Sequence, residues 1–218
     1  MVRRLLVLLM PLLVLSPIPP SPAAAGGDDM VVRMRLVKLV RSLPVAVEDG
    51  TGYDRDLYPH WSSQGAGCDT REVVLRDEDR ADGSTQDGEC RTVGGSWRSA
   101  YDGVTTVDSS SFDIDHVVAL AEAHASGASA WDVERREAYA NDLGDPRSLI
   151  AVSASSNRSK SDRDPAEWLP DLGVCRFVTA WTVVKVRWSL TVDAAEKQAL
   201  RDAVRDCPDR IIRVQTVG

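Results

Sequence analysis

Residues 112–120 read FDIDHVVAL and combine an apolar, strand-like pattern with three side chains that carry chemistry. Asp113 and Asp115 precede His116 in a segment that is otherwise apolar. Buried carboxylates are costly unless they are paired or bind a metal. In a strand Asp115 and His116 point to opposite faces, but at a strand end that bends into a loop they can converge. There, a carboxylate can hold a hard cation while the imidazole takes a proton from water.

A second polar segment follows the next apolar stretch along the chain. Residues 149–152 read LIAV and predict a short buried strand, and residues 153–160 read SASSNRSK. Asn157 offers a neutral carbonyl ligand for a hard metal. Lys160 lies three positions later, on the same helix face, as a point charge for phosphate. Arg158 offers a planar fork of donors on a different face.

Hydrophobic spacing and turn residues predict the remaining elements. We expect Ser129 and Asp193 to cap helices. In chain order the predicted elements are a helix over 30–42, an irregular loop over 49–70, a short helix or strand over 71–75, an exposed acidic loop over 77–89, strands over 92–107, helices over 121–126, 132–141 and 157–161, a helix over 178–188 and a last helix over 194–204.

The first residues have the organisation of a secretory signal peptide. Arg3 and Arg4 precede an apolar run over 5–15, and an Ala-x-Ala sequence at 23–25 resembles a cleavage site. The apolar run is too short to span a membrane. We therefore expect residues 1–25 to be removed and the protein to be secreted, with no membrane attachment.

Residues 26–218 are predicted to form one domain, with its core at roughly 49–207, and to be monomeric. They hold 24 basic and 33 acidic side chains, a net charge of −9. This acidity argues against a tight nucleic-acid binder, which would carry a basic patch. The charge is uneven, however, because residues 155–218 hold 11 basic and 9 acidic side chains.

Four cysteines fit an exported chain, and they allow three pairings. Pairing sequence neighbours is the simplest choice, which gives Cys68–Cys90 and Cys175–Cys207. Each bridge would contribute about 3 kcal/mol in the chain-entropy model. No cysteine lies near a histidine and no C-x-x-C pair exists, which argues against structural zinc.

The order of these motifs resembles the HNH, or ββα-metal, nucleases: a strand with Asp115-His116, a second strand, then a helix with Asn157 and Lys160. More narrowly, the chain resembles secreted nucleases related to the C-terminal domain of GmrSD-type restriction enzymes, over roughly residues 30–207. The positions that carry this resemblance are Gly52-Tyr-Asp-Arg55, Gly67-Cys-Asp-Thr-Arg71, Trp97, Asp113-Ile-Asp-His116, Glu122, Gly127, Trp131, Arg136, Tyr139-Ala-Asn-Asp142, Asn157-Arg-Ser-Lys-Ser-Asp162, Pro165 and Trp168.

The resemblance implies an α+β fold with a ββα-metal core, additional helices and two disulfides. It also implies that His116 is the general base and that Asp115 and Asn157 hold one divalent cation. Mg²⁺ is the expected ion, with Mn²⁺ or Ca²⁺ as alternatives. Arg71 and Lys160 are then candidates to neutralise phosphate charge, together with Arg158.

One position departs from the HNH pattern. The residue that orients the base histidine is often an asparagine just before the second strand, and here that position reads Arg147-Ser148-Leu149. Ser148, a backbone carbonyl or Asn141 are the candidates for this role. Asp113 is a further candidate to support the site from behind the metal ligands.

The expected activity is metal-dependent hydrolysis of DNA, with RNA as an alternative substrate and little sequence specificity. Two other functions remain open: a hydrolase of another bond, such as a peptidase or esterase using a serine of 153–156, and a non-catalytic extracellular binding module. Single residues also have structural alternatives. Asp115 and His116 can form a salt bridge, Asn157 can cap a helix, and Arg71 can pair with an acid such as Asp69.

Overall fold

The chain is described from a computed structural model covering residues 30–218. The predicted signal peptide lies outside the described residues. The prediction of a single domain stays a prediction. The strands are β1 (Val31–Arg35), β2 (Ser63–Gly65), β3 (Cys68–Asp69), β4 (Thr85–Gln86), β5 (Thr92–Val93), β6 (Trp97–Arg98), β7 (Thr105–Thr106), β8 (Phe112–His116), β9 (Leu149–Ser153) and β10 (Ile211–Gln215). The helices are α1 (Leu36–Ser42), α2 (Thr70–Asp77), α3 (Leu120–Ala125), α4 (Val133–Ala140), α5 (Ala154–Lys160), α6 (Val174–Arg187) and α7 (Ala194–Ala203).

The site-bearing strand β8 pairs antiparallel with β9, and α5 follows β9 directly. The register places Phe112 opposite Ser153 and His116 opposite Leu149. Ser153 ends β9 and caps α5, because its Oγ accepts a hydrogen bond from the backbone N–H of Ser156 at 3.2 Å. Helix α5 contacts both strands. The chain thus forms a strand, a second strand and a helix in the order that the motifs predict.

The two faces of the β8–β9 pair are buried against different parts of the molecule. Phe112 and Ile114 lie in an apolar cluster with Trp97 and with Val74 and Leu75 of α2. The opposite face carries Ile150 and Val152 of β9 into the main core around α6. Asp113 and Asp115 alternate with the apolar residues of β8 and therefore lie on this second face, on which α5 also packs. Because side chains alternate along a strand, Asp113 and Asp115 lie on the face of β8 opposite to the cluster of Phe112 and Ile114.

The longest helix, α6, runs through the main core. Its side chains from Phe177 to Val184 are buried except for the partly exposed Thr179. Tyr58, Tyr139 and Trp188 pack into the same cluster. A helix that is apolar on nearly every side must be covered on nearly every side, so α6 organises the elements around it.

The N-terminal segment corrects one prediction. The expected helix over 30–42 is a helix only from Leu36, because residues 31–35 form β1 and pair with β10, with Val31 opposite Gln215. The alternating exposure along VVRMR fits a strand with one covered face. Strand β10 was not predicted at all, and the pairing joins the two ends of the described chain.

Other element boundaries agree with the sequence or shift by a few residues. The segment around 71–75 is helical (α2), and the expected loop over 49–70 contains the short hairpin β2–β3. Helix α5 begins at Ala154 rather than Asn157. Asp132 caps α4, so Ser129 does not have the expected capping role, whereas Asp193 caps α7 as predicted.

The two disulfides are those predicted from sequence neighbours, Cys68–Cys90 and Cys175–Cys207. The first joins the β2–β3 hairpin to the loop that follows β4. The second joins the first turn of α6 to the segment after α7. Within residues 30–218 no cysteine is free.

A buried charge cluster lies between α3, α6 and α7. Lys185 is fully buried and its Nζ donates to carboxylates of Glu122 and Glu196. Burial raises the pKa of Glu196 to about 8, an effect that the Lys185 charge opposes. Burial likewise raises the pKa of Glu48 beside this cluster to about 7. One ammonium therefore faces more carboxyl groups than it can neutralise.

This cluster predicts that the protein loses stability as the pH rises. In the unfolded chain Glu196 ionises near 4.5, whereas in the folded protein it keeps its proton to about 8. Between these values the unfolded state binds fewer protons, so the free energy of unfolding falls with increasing pH. We expect the Tm of Glu196→Gln to fall less from pH 5 to 8 than the Tm of the unmodified protein. Each kcal/mol of unfolding free energy that the ionisation of Glu196 would have removed corresponds to about 2–4 °C in Tm.

Thermal unfolding followed by circular dichroism at several pH values tests this expectation. Glu134→Gln is the matched control, because Glu134 is exposed on α4 and makes no ion pair among the described residues. Equal slopes for Glu196→Gln and the unmodified protein would contradict the assignment.

Candidate active site

A cavity of about 380 Å³ lies beside β8 and brings together four of the predicted site residues. It is lined by Asp115 and His116 from the end of β8 and by Asn157 and Arg158 from α5. Asp115 and His116 are adjacent residues whose side chains point to opposite faces of the strand, and both nevertheless line this cavity. The convergence expected at a strand end is therefore present.

His116 is a buried, neutral imidazole in this cavity. Its Nε2 lies 2.8 Å from the backbone carbonyl oxygen of Ala140. Because a carbonyl only accepts hydrogen bonds, Nε2 carries the proton and Nδ1 keeps a lone pair. Burial lowers the pKa of His116 to about 3, against the opposing effect of the Ala140 hydrogen bond. Among residues 30–218 no protein atom hydrogen-bonds Nδ1, so this nitrogen can accept a proton.

The group that orients His116 is thus a backbone carbonyl, one of the three candidates from sequence. The Ser148 hydroxyl instead donates to Asp142 at 2.7 Å. The Asn141 side chain bonds the backbone of Pro59 and Ser62. Neither side chain orients the ring, which corrects both expectations. Asn141 nevertheless fixes the end of α4, next to Ala140, whose carbonyl oxygen holds the His116 ring.

Aromatic packing also holds the His116 ring in place. Trp61 stacks on it with ring centroids 5.4 Å apart and an interplanar angle of 22°. The ring of Tyr139 lies 6.5 Å away on a nearly parallel plane. This packing restricts the orientation of the imidazole.

Asp115 is held by two buried donors. One carboxylate oxygen accepts from Lys160 Nζ at 2.9 Å and the other from the Tyr101 hydroxyl at 2.6 Å. Burial raises the pKa of Asp115, and the charge of Lys160 opposes this. Each carboxylate oxygen has a second lone pair, so these two contacts do not use the full acceptor capacity of Asp115.

Lys160 does not have the expected phosphate-binding position. Its side chain is fully buried, and its Nζ also donates to the carbonyl oxygen of His116 at 3.0 Å. A cation enclosed in this way cannot reach a phosphate from solvent. Lys160 instead ties α5 to the strand that carries Asp115 and His116.

Asp113 and Asn157 contact each other across the β8–α5 boundary. The Asn157 Nδ2 donates to the Asp113 carboxylate at 3.1 Å, which leaves the Asn157 carbonyl oxygen as an acceptor. Ser153 caps α5, so the alternative that Asn157 is the helix cap is wrong. Asp113 therefore contacts Asn157, and its supporting role stays a prediction.

Arg71 lies outside the cavity, which corrects its expected role. Its guanidinium pairs with Glu72 at 2.6 Å and donates to the backbone carbonyls of Ser109 and Phe112. The structural alternative for Arg71 is thus confirmed, although its partner is Glu72. Asp69, the acid named from sequence, caps α2 instead.

Sequence reasoning missed one cavity residue, Arg55. It lies in a short 3₁₀ turn, Arg55–Leu57, and its side chain lines the cavity with His116 and Asn157. Arg55 belongs to the Gly52–Arg55 motif of the family resemblance, which carried no role. Local spacing could not assign one, because the turn reaches the site only through the tertiary fold.

The donor set of the cavity fits a hard divalent cation. Carboxylate and amide oxygens of Asp115 and Asn157 are the ligand types that Mg²⁺ prefers, and no sulfur or second imidazole competes among the lining residues. Clusters of three carboxylates close enough to share an ion lie elsewhere in the described chain: Glu48, Asp164 and Asp193, and Glu48, Glu122 and Glu196.

Comparison with known proteins gives the family. The family model for the C-terminal domain of GmrSD restriction endonucleases matches residues 70–203. A protein from Arthroderma benhamiae, named as an uncharacterized secreted protein, is 39% identical over 195 residues, which cover 88% of this chain and 90% of the relative. No solved structure gives a significant match. In the described residues no helix is long and apolar enough to cross a membrane.

The region that the family model matches includes β8, β9 and α5 with their polar residues. The chain belongs to the family of GmrSD restriction endonuclease C-terminal domains.

Proposed function

We propose that the protein is a secreted, metal-dependent endonuclease of the HNH type that hydrolyses phosphodiester bonds of DNA. The observation that carries this proposal is the neutral His116, with a free Nδ1, in one cavity with the oxygen donors Asp115 and Asn157. The family supports a nuclease domain. RNA is the alternative substrate, and we propose little sequence specificity because residues 30–218 contain no separate recognition module.

Secretion has three supports. Residues 1–25 have the pattern of a signal peptide. Two disulfides bridge the described chain, as is usual in oxidising compartments. The Arthroderma benhamiae relative is named as secreted. We further propose that residues 26–218 act as one monomeric domain.

In the proposed reaction His116 acts on the attacking water. Its Nδ1 takes a proton as the water oxygen attacks phosphorus, and the Ala140 carbonyl stabilises the imidazolium through Nε2–H. The bond from phosphorus to the leaving oxygen then breaks, and the leaving oxygen takes a proton from solvent water. The exposed Arg158 at the cavity wall can contact a phosphate oxygen. A divalent cation held by Asp115 and Asn157 would supply Lewis-acid stabilisation of negative charge.

Lys160 has a positioning role in this proposal. Its ammonium offsets part of the Asp115 charge and fixes that carboxylate relative to the His116 backbone. Asp113 fixes the Asn157 side chain by accepting a hydrogen bond from its amide nitrogen. The residues that act on substrate are therefore supported by residues that do not reach it.

The serine-hydrolase alternative has no support among the described contacts. Ser153 and Ser156 both donate to Asp102, and neither hydrogen-bonds His116. No other observation favours peptide or ester cleavage. A non-catalytic binding module remains an outcome of the first experiment below.

Removal of the base should abolish most nicking. We expect His116→Ala to slow plasmid nicking by about 10²–10⁴-fold, the usual contribution of a general base, and EDTA to stop the unmodified enzyme until Mg²⁺ is restored. Circular dichroism checks that the variant folds, and Glu134→Gln is the surface control. Equal nicking by His116→Ala and the unmodified protein would exclude the proposed base. No nicking of DNA or RNA by the unmodified protein would favour the binding module.

Asn157 should affect metal dependence more than stability. We expect Asn157→Ala to raise the Mg²⁺ concentration needed for half-maximal nicking at least tenfold, because it removes a neutral oxygen ligand. Ser153→Ala, at the N-cap of the same helix, is the control. Its lost cap should cost about 1 kcal/mol of stability and leave the Mg²⁺ dependence unchanged. An unchanged dependence in Asn157→Ala would remove that residue from the metal site.

Lys160 should affect stability strongly. Lys160→Met leaves the Asp115 carboxylate buried without its cation, and breaking such a pair from one side typically costs about 3–5 kcal/mol. Urea denaturation measures this loss. The double variant Asp115→Asn with Lys160→Met should recover part of the stability, because no buried charge is left unpaired. A loss under about 1 kcal/mol for Lys160→Met alone would show that the pair is not a structural link.

A further inference from the structure

The cavity contains a guanidinium that is held in place without being neutralised. Arg55 Nε and Nη2 lie 3.3 and 3.2 Å from Nε2 of His60. Among the described residues no carboxylate forms an ion pair with Arg55, whereas Arg71, Arg147 and Arg187 each pair with an acid. An arginine that faces a cavity with its full charge is suited to bind an anion.

The partner of Arg55 is a neutral ring whose protonation follows from its contacts. His60 Nδ1 lies 2.8 Å from the carbonyl oxygen of Tyr58. A carbonyl cannot donate, so Nδ1 carries the proton and Nε2 accepts from Arg55. This acceptor orients the guanidinium and adds no negative charge. The fork of Arg55 is thus pre-oriented, and its charge remains available to a ligand.

The Arg55–His60 pair is connected to the proposed base, His116, through packed aromatic rings. His60 packs edge-on against Trp61 with centroids 5.4 Å apart, and Trp61 stacks on His116. The rings of His60 and His116 are 6.5 Å apart. The backbone of Arg55 is also fixed, because Asp54 caps its turn by accepting from the N–H of Asp56 at 2.9 Å.

We propose that Arg55 binds a non-bridging oxygen of the phosphodiester at this cavity and that His60 is the positioning residue that aims its guanidinium. The inference rests on the proposed function and names a substrate contact for it. Arginine presents a planar fork that matches phosphate oxygens. Both residues precede the region that the family model matches, residues 70–203. Arg55 takes the role that sequence assigned to Arg71 and Lys160.

The test separates binding from cleavage. A fluorescein-labelled DNA duplex is titrated with protein in EDTA at several NaCl concentrations, and binding is followed by anisotropy. We expect Arg55→Gln to weaken binding about tenfold or more and to reduce the slope of log K against log[salt] by about one. Arg55→Lys should keep the slope and lose part of the affinity. Arg201→Gln, an exposed arginine on α7, is the matched control and should change neither.

The role of His60 is tested by a cycle with Arg55. His60→Gln keeps an acceptor near the position of Nε2 and should retain most of the affinity, whereas His60→Leu should lose it. If His60 acts through Arg55, adding His60→Leu to Arg55→Gln should cause no further loss. Additive losses would overturn the positioning role.

Failure of the inference and failure of the proposed function give different results. Cleavage that persists in EDTA, or no cleavage of DNA or RNA with Mg²⁺, would contradict the proposed function. Metal-dependent cleavage by the unmodified protein, with unchanged affinity and salt slope in a folded Arg55→Gln, would overturn only the Arg55 assignment. Thermal unfolding of each variant shows that it is folded.

Discussion

The buried contact between Lys160 and Asp115 is the interaction on which the site depends. Helix α5 has seven residues, and a helix of this length is not stable by itself in water. Lys160, fully buried, bonds both the Asp115 carboxylate and the His116 carbonyl. These bonds hold the last turn of α5 against β8 and so bring Asn157 beside Asp113. Because two charges are desolvated here, the intact pair adds little net stability, whereas removal of one partner leaves an unpaired buried charge and is costly.

Sequence predicts those parts of the fold that are determined locally. The apolar runs of β8 and β9, the Asp193 cap and the pairing of neighbouring cysteines are all confirmed. The sequence does not predict the pairing of β1 with β10, because the two strands lie at opposite ends of the described chain. Residues 31–35 suit either a strand or the start of a helix, and only the distant partner decides between them. Long-range pairing leaves no periodic signal that a single segment can show.

In the candidate site too, the sequence predicts which types of residue are present but not the surroundings of each side chain. The motifs bring Asp115, His116, Asn157 and Arg158 to one cavity, as predicted. The spacing of Lys160 from Asn157 predicts a phosphate contact, but the sequence shows only the charge of this lysine and not that the folded chain encloses it. The guanidinium of Arg71 is occupied by the adjacent Glu72 and by the backbone carbonyls of Ser109 and Phe112, and the sequence does not show that the fold brings these carbonyls to it. Arg55 stands far from the motif in sequence, and only the folded chain brings it to His116.

The hydrogen bond from His116 to the Ala140 carbonyl has a consequence for how this family can vary. Every residue has a backbone carbonyl, so the acceptor that sets the tautomer is insensitive to the side chain at position 140. The position of this carbonyl depends instead on the path of the chain at the end of α4, which Asn141 fixes by bonding the loop that contains Pro59 and Ser62. A change of side chain at position 140 would therefore keep the acceptor, whereas a change that breaks the Asn141 anchor would move it.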